Sequence, residues 1–130
     1  PDRSKPYKPD YKDISLRRVL QKVIKPSANA QTANPGSNVT VTMQGWIYDP
    51  KQLGNKGFQF DEGGRPVSFN VGKGQTLMGL DRSIVGMRVG EKREFVIPAD
   101  LAYGDQQHES IPPGSHVLLE VELLKVSVKK

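Results

Sequence analysis

Apolar and polar residues alternate along Val39–Ile47 (VTVTMQGWI), with Val39, Val41, Met43 and Ile47 on one side and Thr40, Thr42 and Gln44 on the other. A period of two predicts a half-buried β-strand. The same pattern recurs in Val67–Val71, Lys92–Ile97 and His116–Val126. In the last of these Val117, Leu119, Val121 and Leu123 take the core side, and Glu120 and Glu122 face water. Phe58–Asp61 predicts a short strand ending in a carboxylate. Near the start, Leu16, Val19, Leu20, Val23 and Ile24 fall at helical spacing, yet β-branched content and Pro26 suit a strand from Val19 to Lys25. The strand is the expectation.

One stretch breaks the rule of two. Leu77, Leu80, Ile84 and Met87 form a helical stripe, with Asp81 and Arg82 on the opposite side and Thr76 as a candidate N-cap. Gly72 and Gly74 turn the chain before it, and Gly86 and Gly90 punctuate the exit. The intervening loops are polar: Ser27–Asn38 with its Pro35-Gly36 turn, Asp49–Gly57, Glu62–Pro66, and Asp105–Ser115. A lone apolar-faced helix must lie on a sheet, and a small cavity between the two is the natural place for a ligand. The expected class is α+β, a twisted antiparallel sheet of five or six strands wrapped around one short helix.

Composition narrows this picture. The 130 residues are enough for one domain, expected over 14–130, behind a basic, proline-rich arm at 1–13. Eight of the 19 basic residues lie in the first 25 positions, and the net charge is +5. This reads first as solvated tails, or as a tether for a protein partner, rather than as a nucleic-acid surface. No apolar run approaches a membrane span. The chain starts at Pro1 rather than Met, which leaves room for a removed leader or a partner domain. Cysteine is absent, which removes disulfides, thiol catalysis and cysteine-bound zinc, and suits the cytoplasm as the expected location.

Familiar catalytic constellations are missing. His108 and His116 have no third ligand at metal spacing and read as surface histidines, so no metal is expected. Gly72-Lys-Gly-Gln matches neither the phosphate-loop pattern nor the dinucleotide fingerprint. Asn38-Val-Thr40 is a formal glycosylation sequon, read as a chance match. What remains is an apolar pocket with a few polar groups at its rim.

Phe60-Asp61, Val71-Gly72-Lys73, the run MRVGEKREFVIPADLAYG from Met87 to Gly104, Ile111-Pro112-Pro113 and Leu119–Leu124 (LEVELL) stand in order along Val39–Val126. As a set they resemble the FKBP-type peptidyl-prolyl cis-trans isomerases. The resemblance implies that fold, no cofactor, and a reaction that breaks no covalent bond: rotation about an Xaa-Pro amide, over a barrier of about 20 kcal/mol. It implies proline-containing peptides or unfolded proteins as substrates, and rapamycin-type macrolides as ligands.

By position, the resemblance makes Phe60 a pocket wall, Asp61 a polar group at its edge, and Tyr103 a hydroxyl donor across the mouth. Leu77 offers its backbone N–H beside Thr76, Leu80 forms the floor, His108 and Ile111 overhang, and Leu119 closes the back. Four positions that are aromatic in the family are aliphatic here: Met43, Val67, Leu80 and Leu119. A pocket so altered stays dry but loses ring-face contacts to proline. Reduced isomerase activity and weak macrolide binding are therefore expected, with a non-catalytic scaffold domain of a larger protein as the alternative.

Overall fold

The computed structural model describes residues 18–128. Its elements are β1 (Leu20–Lys25), β2 (Ser37–Tyr48), β3 (Lys56–Asp61), β4 (Val67–Asn70), α1 (Met78–Ser83), β5 (Lys92–Ile97) and β6 (Val117–Val128). All six strands join one antiparallel sheet in the order β1-β5-β6-β2-β3, with β4 also paired to β2. The α+β expectation holds. The arm at 1–13, and any partner it would hold, lies outside the described residues.

Two long strands make the spine. β2 and β6 pair from Ser37↔Val128 to Ile47↔Val117. Their inward side chains, Val39, Val41, Ile47, Val117, Val121 and Leu123, are completely buried. Phe95 and Ile97 of β5 and Leu80 and Ile84 of the α1 region complete the core between sheet and helix. Gly79 sits where a Cβ would run into Ile97 and approach the Leu101 carbonyl, so its missing side chain lets α1 settle on β5.

The outer edge of β2 is divided. Its first half pairs with β4, from Asn38↔Asn70 to Val41↔Val67, and its second half with β3, from Gly45↔Asp61 to Tyr48↔Lys56. The chain crosses between them at Glu62–Pro66, beside Met43 and Gln44. There Gly63 has φ +77°, and a Cβ on it would meet the Met43 carbonyl. This split opens the sheet at Met43.

Four expectations are corrected. The N-cap of α1 is Leu77 and not Thr76, and no side chain caps it. The helix has six residues because Gly86, at φ +93°, turns its N–H to the Ala33 carbonyl; Met87 lies past the end yet stays buried. Asp81 does not face water: the residue is 7% exposed, and its carboxylate accepts the N–H groups of Gly72 (2.8 Å) and Gly74 (3.0 Å). Glu120 is likewise drawn in, clamped by Lys56 at 2.6 Å and approached by Lys92 at 3.7 Å. Periodicity placed each of these carboxylates on a polar face, but a hydrogen-bonded or paired charge can be covered.

Candidate active site

The site begins with an irregularity in β3. Gly45 pairs with Asp61 and Trp46 with Gln59, so Phe60 is the extra residue of a bulge. A bulge re-aims a side chain. The Phe60 ring swings over Gly45 and the end of Leu119, into space that a Cβ at position 45 would need.

Two further rings continue the wall. Phe60 meets Tyr103 edge to face, with centroids 6.1 Å apart at 87°, and Tyr103 stacks on His108 at 4.4 Å and 14°. Both geometries suit the charge distribution of aromatic rings. His108 is held in place by paired backbone bonds with Ile111, whose side chain is anchored in the interior. The Gly114 N–H reaching the Gly104 carbonyl closes the loop behind them.

Against this wall lies an open groove of about 630 Å³, lined by Thr76, Leu77, Met78, Ala102, Tyr103 and His108 among others. A smaller hollow of about 210 Å³ lies at the split in the sheet, between Met43, Asp61, Gly63, Arg65 and Val67. The structure thus distributes the residues named from sequence over three places. Thr76, Leu77, Tyr103 and His108 line the groove. Met43, Asp61 and Val67 line the hollow, and Phe60 joins the two through its ring contact with Tyr103 and its place in the chain before Asp61. Leu80, Ile111 and Leu119 lie beneath, at most 2% exposed. The expected floor, Leu80, is therefore core: with α1 seated through Gly79, a leucine side chain is absorbed by the interior.

Polar groups at the rim are fixed by their own loops. Asp61 accepts the Gly63 N–H at 2.9 Å. The Asp81 carboxylate, gathering the Gly72 and Gly74 amides, ties the preceding loop to the start of α1, where Leu77 sits. Burial raises the Tyr103 hydroxyl above the usual tyrosine range, and the carboxylates of Asp61 and Glu109 add to this. It stays a neutral donor at physiological pH. His116 is half-buried away from the groove, and its Nδ1 accepts the Ala99 N–H at 2.9 Å. Burial pushes its pKa down, partly opposed by Asp100.

Sequence reasoning missed Gly45, Asp81, Arg65, Met78 and Ala102. Only Gly45 carried a readable signal, since a glycine inside a strand marks a close approach.

The fold and this site define a class: an antiparallel sheet packed on one short helix, with an open groove beside a row of aromatic rings and a tyrosine hydroxyl at the site. No group of three metal-ligating side chains occurs among the described residues. Residues 29–124 match the family model for FKBP-type peptidyl-prolyl cis-trans isomerases, and the chain belongs to that family. It is 39% identical over 116 residues to FK506-binding protein 1 of Aspergillus oryzae, covering 84% of this chain and 98% of that one. It is 38% identical over 115 residues to FK506-binding protein 2 of Yarrowia lipolytica, covering 85% and 75%. Of FK506-binding protein 4 of Gibberella zeae, 37% identical over 98 residues, the match spans 75% of this chain and 19% of that one. A crystal structure of a peptidyl-prolyl cis-trans isomerase from Pseudomonas syringae superposes with a TM-score of 0.70 at 26% identity, covering 84% of this chain and 75% of that one. Isomerisation of Xaa-Pro bonds is the activity these findings support, and they lend nothing to a scaffold without catalysis.

Proposed function

We propose that the groove beside Tyr103 accelerates cis–trans rotation of Xaa-Pro bonds in peptides and unfolded proteins. The observation that carries this reading is the row Phe60–Tyr103–His108, a continuous ring wall along a groove whose other side is the start of α1. Amide resonance sets the rotational barrier, and water hydrogen-bonded to the carbonyl strengthens that resonance. Moving the amide against apolar walls strips this water and favours the twisted state. In this reading the Leu77 N–H, at a helix start where amides lack intrahelical partners, takes a substrate carbonyl. The Tyr103 hydroxyl takes a second. Neither contact transfers a proton or makes a covalent bond.

Met43 and Val67 offer an aliphatic hollow where flat rings would grip proline more firmly, so the rate is modest. The relatives are named for binding FK506, and a pipecolyl macrolide would enter the same groove weakly. A protease-free assay on Xaa-Leu-Pro and Xaa-Phe-Pro peptides tests the proposal. Catalysis above the solvent rate that Phe60→Ala removes supports it. A rate equal to the uncatalysed one at high protein concentration overturns it.

A further inference from the structure

The hairpin joining β2 to β3 holds two exposed apolar side chains that the prolyl groove does not use. Phe58, two residues before Phe60, is 50% exposed, and Leu53 near the tip is 97% exposed. Phe58 and Phe60 flank Gln59, which pairs with Trp46, so the two rings share the opposite side of the strand. Two residues of strand span about 7 Å. Phe58 thus extends the ring wall outward along β3.

The tip is not a loose loop. Backbone bonds link Asp49 to Asn55, Gln52 to Asp49 and Asn55 to Gln52, all at 2.9 to 3.0 Å. The buried Asp49 carboxylate also accepts the Lys51 N–H at 3.0 Å. Gly54 (φ +66°) and Asn55 (φ +61°) complete the turn. A backbone held this firmly displays Leu53 without paying to order it on binding. Among the described residues β3 pairs only with β2, so its other backbone edge is open to an added strand.

We infer that the β2–β3 hairpin is a second substrate-holding site, where Phe58 and Leu53 take bulky apolar side chains of the unfolded polypeptide whose proline lies in the groove. The occupant follows from continuity, since the wall running outward from Tyr103 through Phe60 reaches Phe58 without leaving the strand. This rests on the groove being the prolyl site. The specificity it confers is for prolines with an apolar residue a few positions away along an extended chain, the usual state of a core segment before folding.

The test compares a tetrapeptide containing Leu-Pro, too short to reach the hairpin, with two dodecapeptides that carry either Phe and Leu or two serines flanking the same centre. The readout is the ratio of kcat/KM for each long peptide to that for the short one. The apolar dodecapeptide should exceed the serine one in the parent, and the double variant Phe58→Ser, Leu53→Ser should lower its ratio about five-fold. Phe58→Leu should restore most of the difference. Equal ratios in parent and variant overturn the inference, as does a variant that only loses self-association by sedimentation. If the tetrapeptide is not turned over at all, the isomerase reading fails separately. Calorimetric titration of the two dodecapeptides then decides the hairpin, with equal affinities counting against it.

Discussion

Gly45 and Phe60 occupy one place: a Cβ on residue 45 would lie 2.7 Å from Cε1 and Cζ of the Phe60 ring and 3.1 Å from Cδ2 of Leu119. The ring wall exists because that atom is missing. Gly45→Ala should push the ring toward the groove, destabilise the fold by about 1–3 kcal/mol, and lower kcat/KM about ten-fold. Urea denaturation and the peptide assay measure the two effects. An active enzyme with an unshifted midpoint would show that Phe60 has room to move.

Tyr103 contributes both a ring and a hydroxyl. Tyr103→Phe keeps the stacking with Phe60 and His108 and should lower kcat/KM by about three- to ten-fold, the worth of one hydrogen bond. Its raised pKa has a signed consequence. The folded protein holds the phenolic proton more tightly than the unfolded chain, so stability falls as pH rises past 10 and the unfolded tyrosine ionises first. Activity should be level up to that range in the parent. Ultraviolet titration of phenolate absorbance, compared with Tyr103→Phe, checks the shift.

The Asp81 carboxylate gathers two backbone amides ahead of α1. Asp81→Ala strands both and should cost about 2–3 kcal/mol, while Asp81→Asn retains one acceptor and should cost less. Since the loop it ties leads to Leu77, the alanine variant should also raise KM more than it lowers kcat. Equal stability of the two variants would show that the bonds contribute little.

His116 gives a pH signature below neutrality. Its Nδ1 accepts the Ala99 N–H only when that nitrogen is unprotonated. Its folded pKa is depressed, so the stability it lends is fully present above the unfolded value near 6.5 and is lost as pH falls through the folded value. Thermal melts from pH 7 to 5 should show this loss in the parent. His116→Asn, with an amide oxygen as acceptor, should flatten that part of the profile.

The period-two runs in β2, β4, β5 and β6 were legible because each strand has one face on the core and one away from it, and burial selects side chains at that spacing. β5 runs over Lys92–Ile97 as its pattern predicts, and Phe95 and Ile97 are both buried. The single helix was legible for the same reason, through Leu80 and Ile84. The order of the motifs along the chain carried the family and with it the activity.

Tertiary structure alone decided where the pocket opens. Leu80 is a core residue and Leu77 a groove residue, although both are leucines on one stripe, because depth depends on how closely Gly79 lets the helix approach Ile97. Asp81 and Glu120 look solvated in a one-dimensional pattern; amides of Gly72 and Gly74 satisfy the first, and lysines 36 residues apart in sequence converge on the second. Gly45 hinted at a close approach, but the bulge at Phe60 is a mismatch between two paired strands, so which residue is left over is set only by their register. Periodicity reports which face of an element is buried. What a side chain meets there is set by the neighbours that folding supplies.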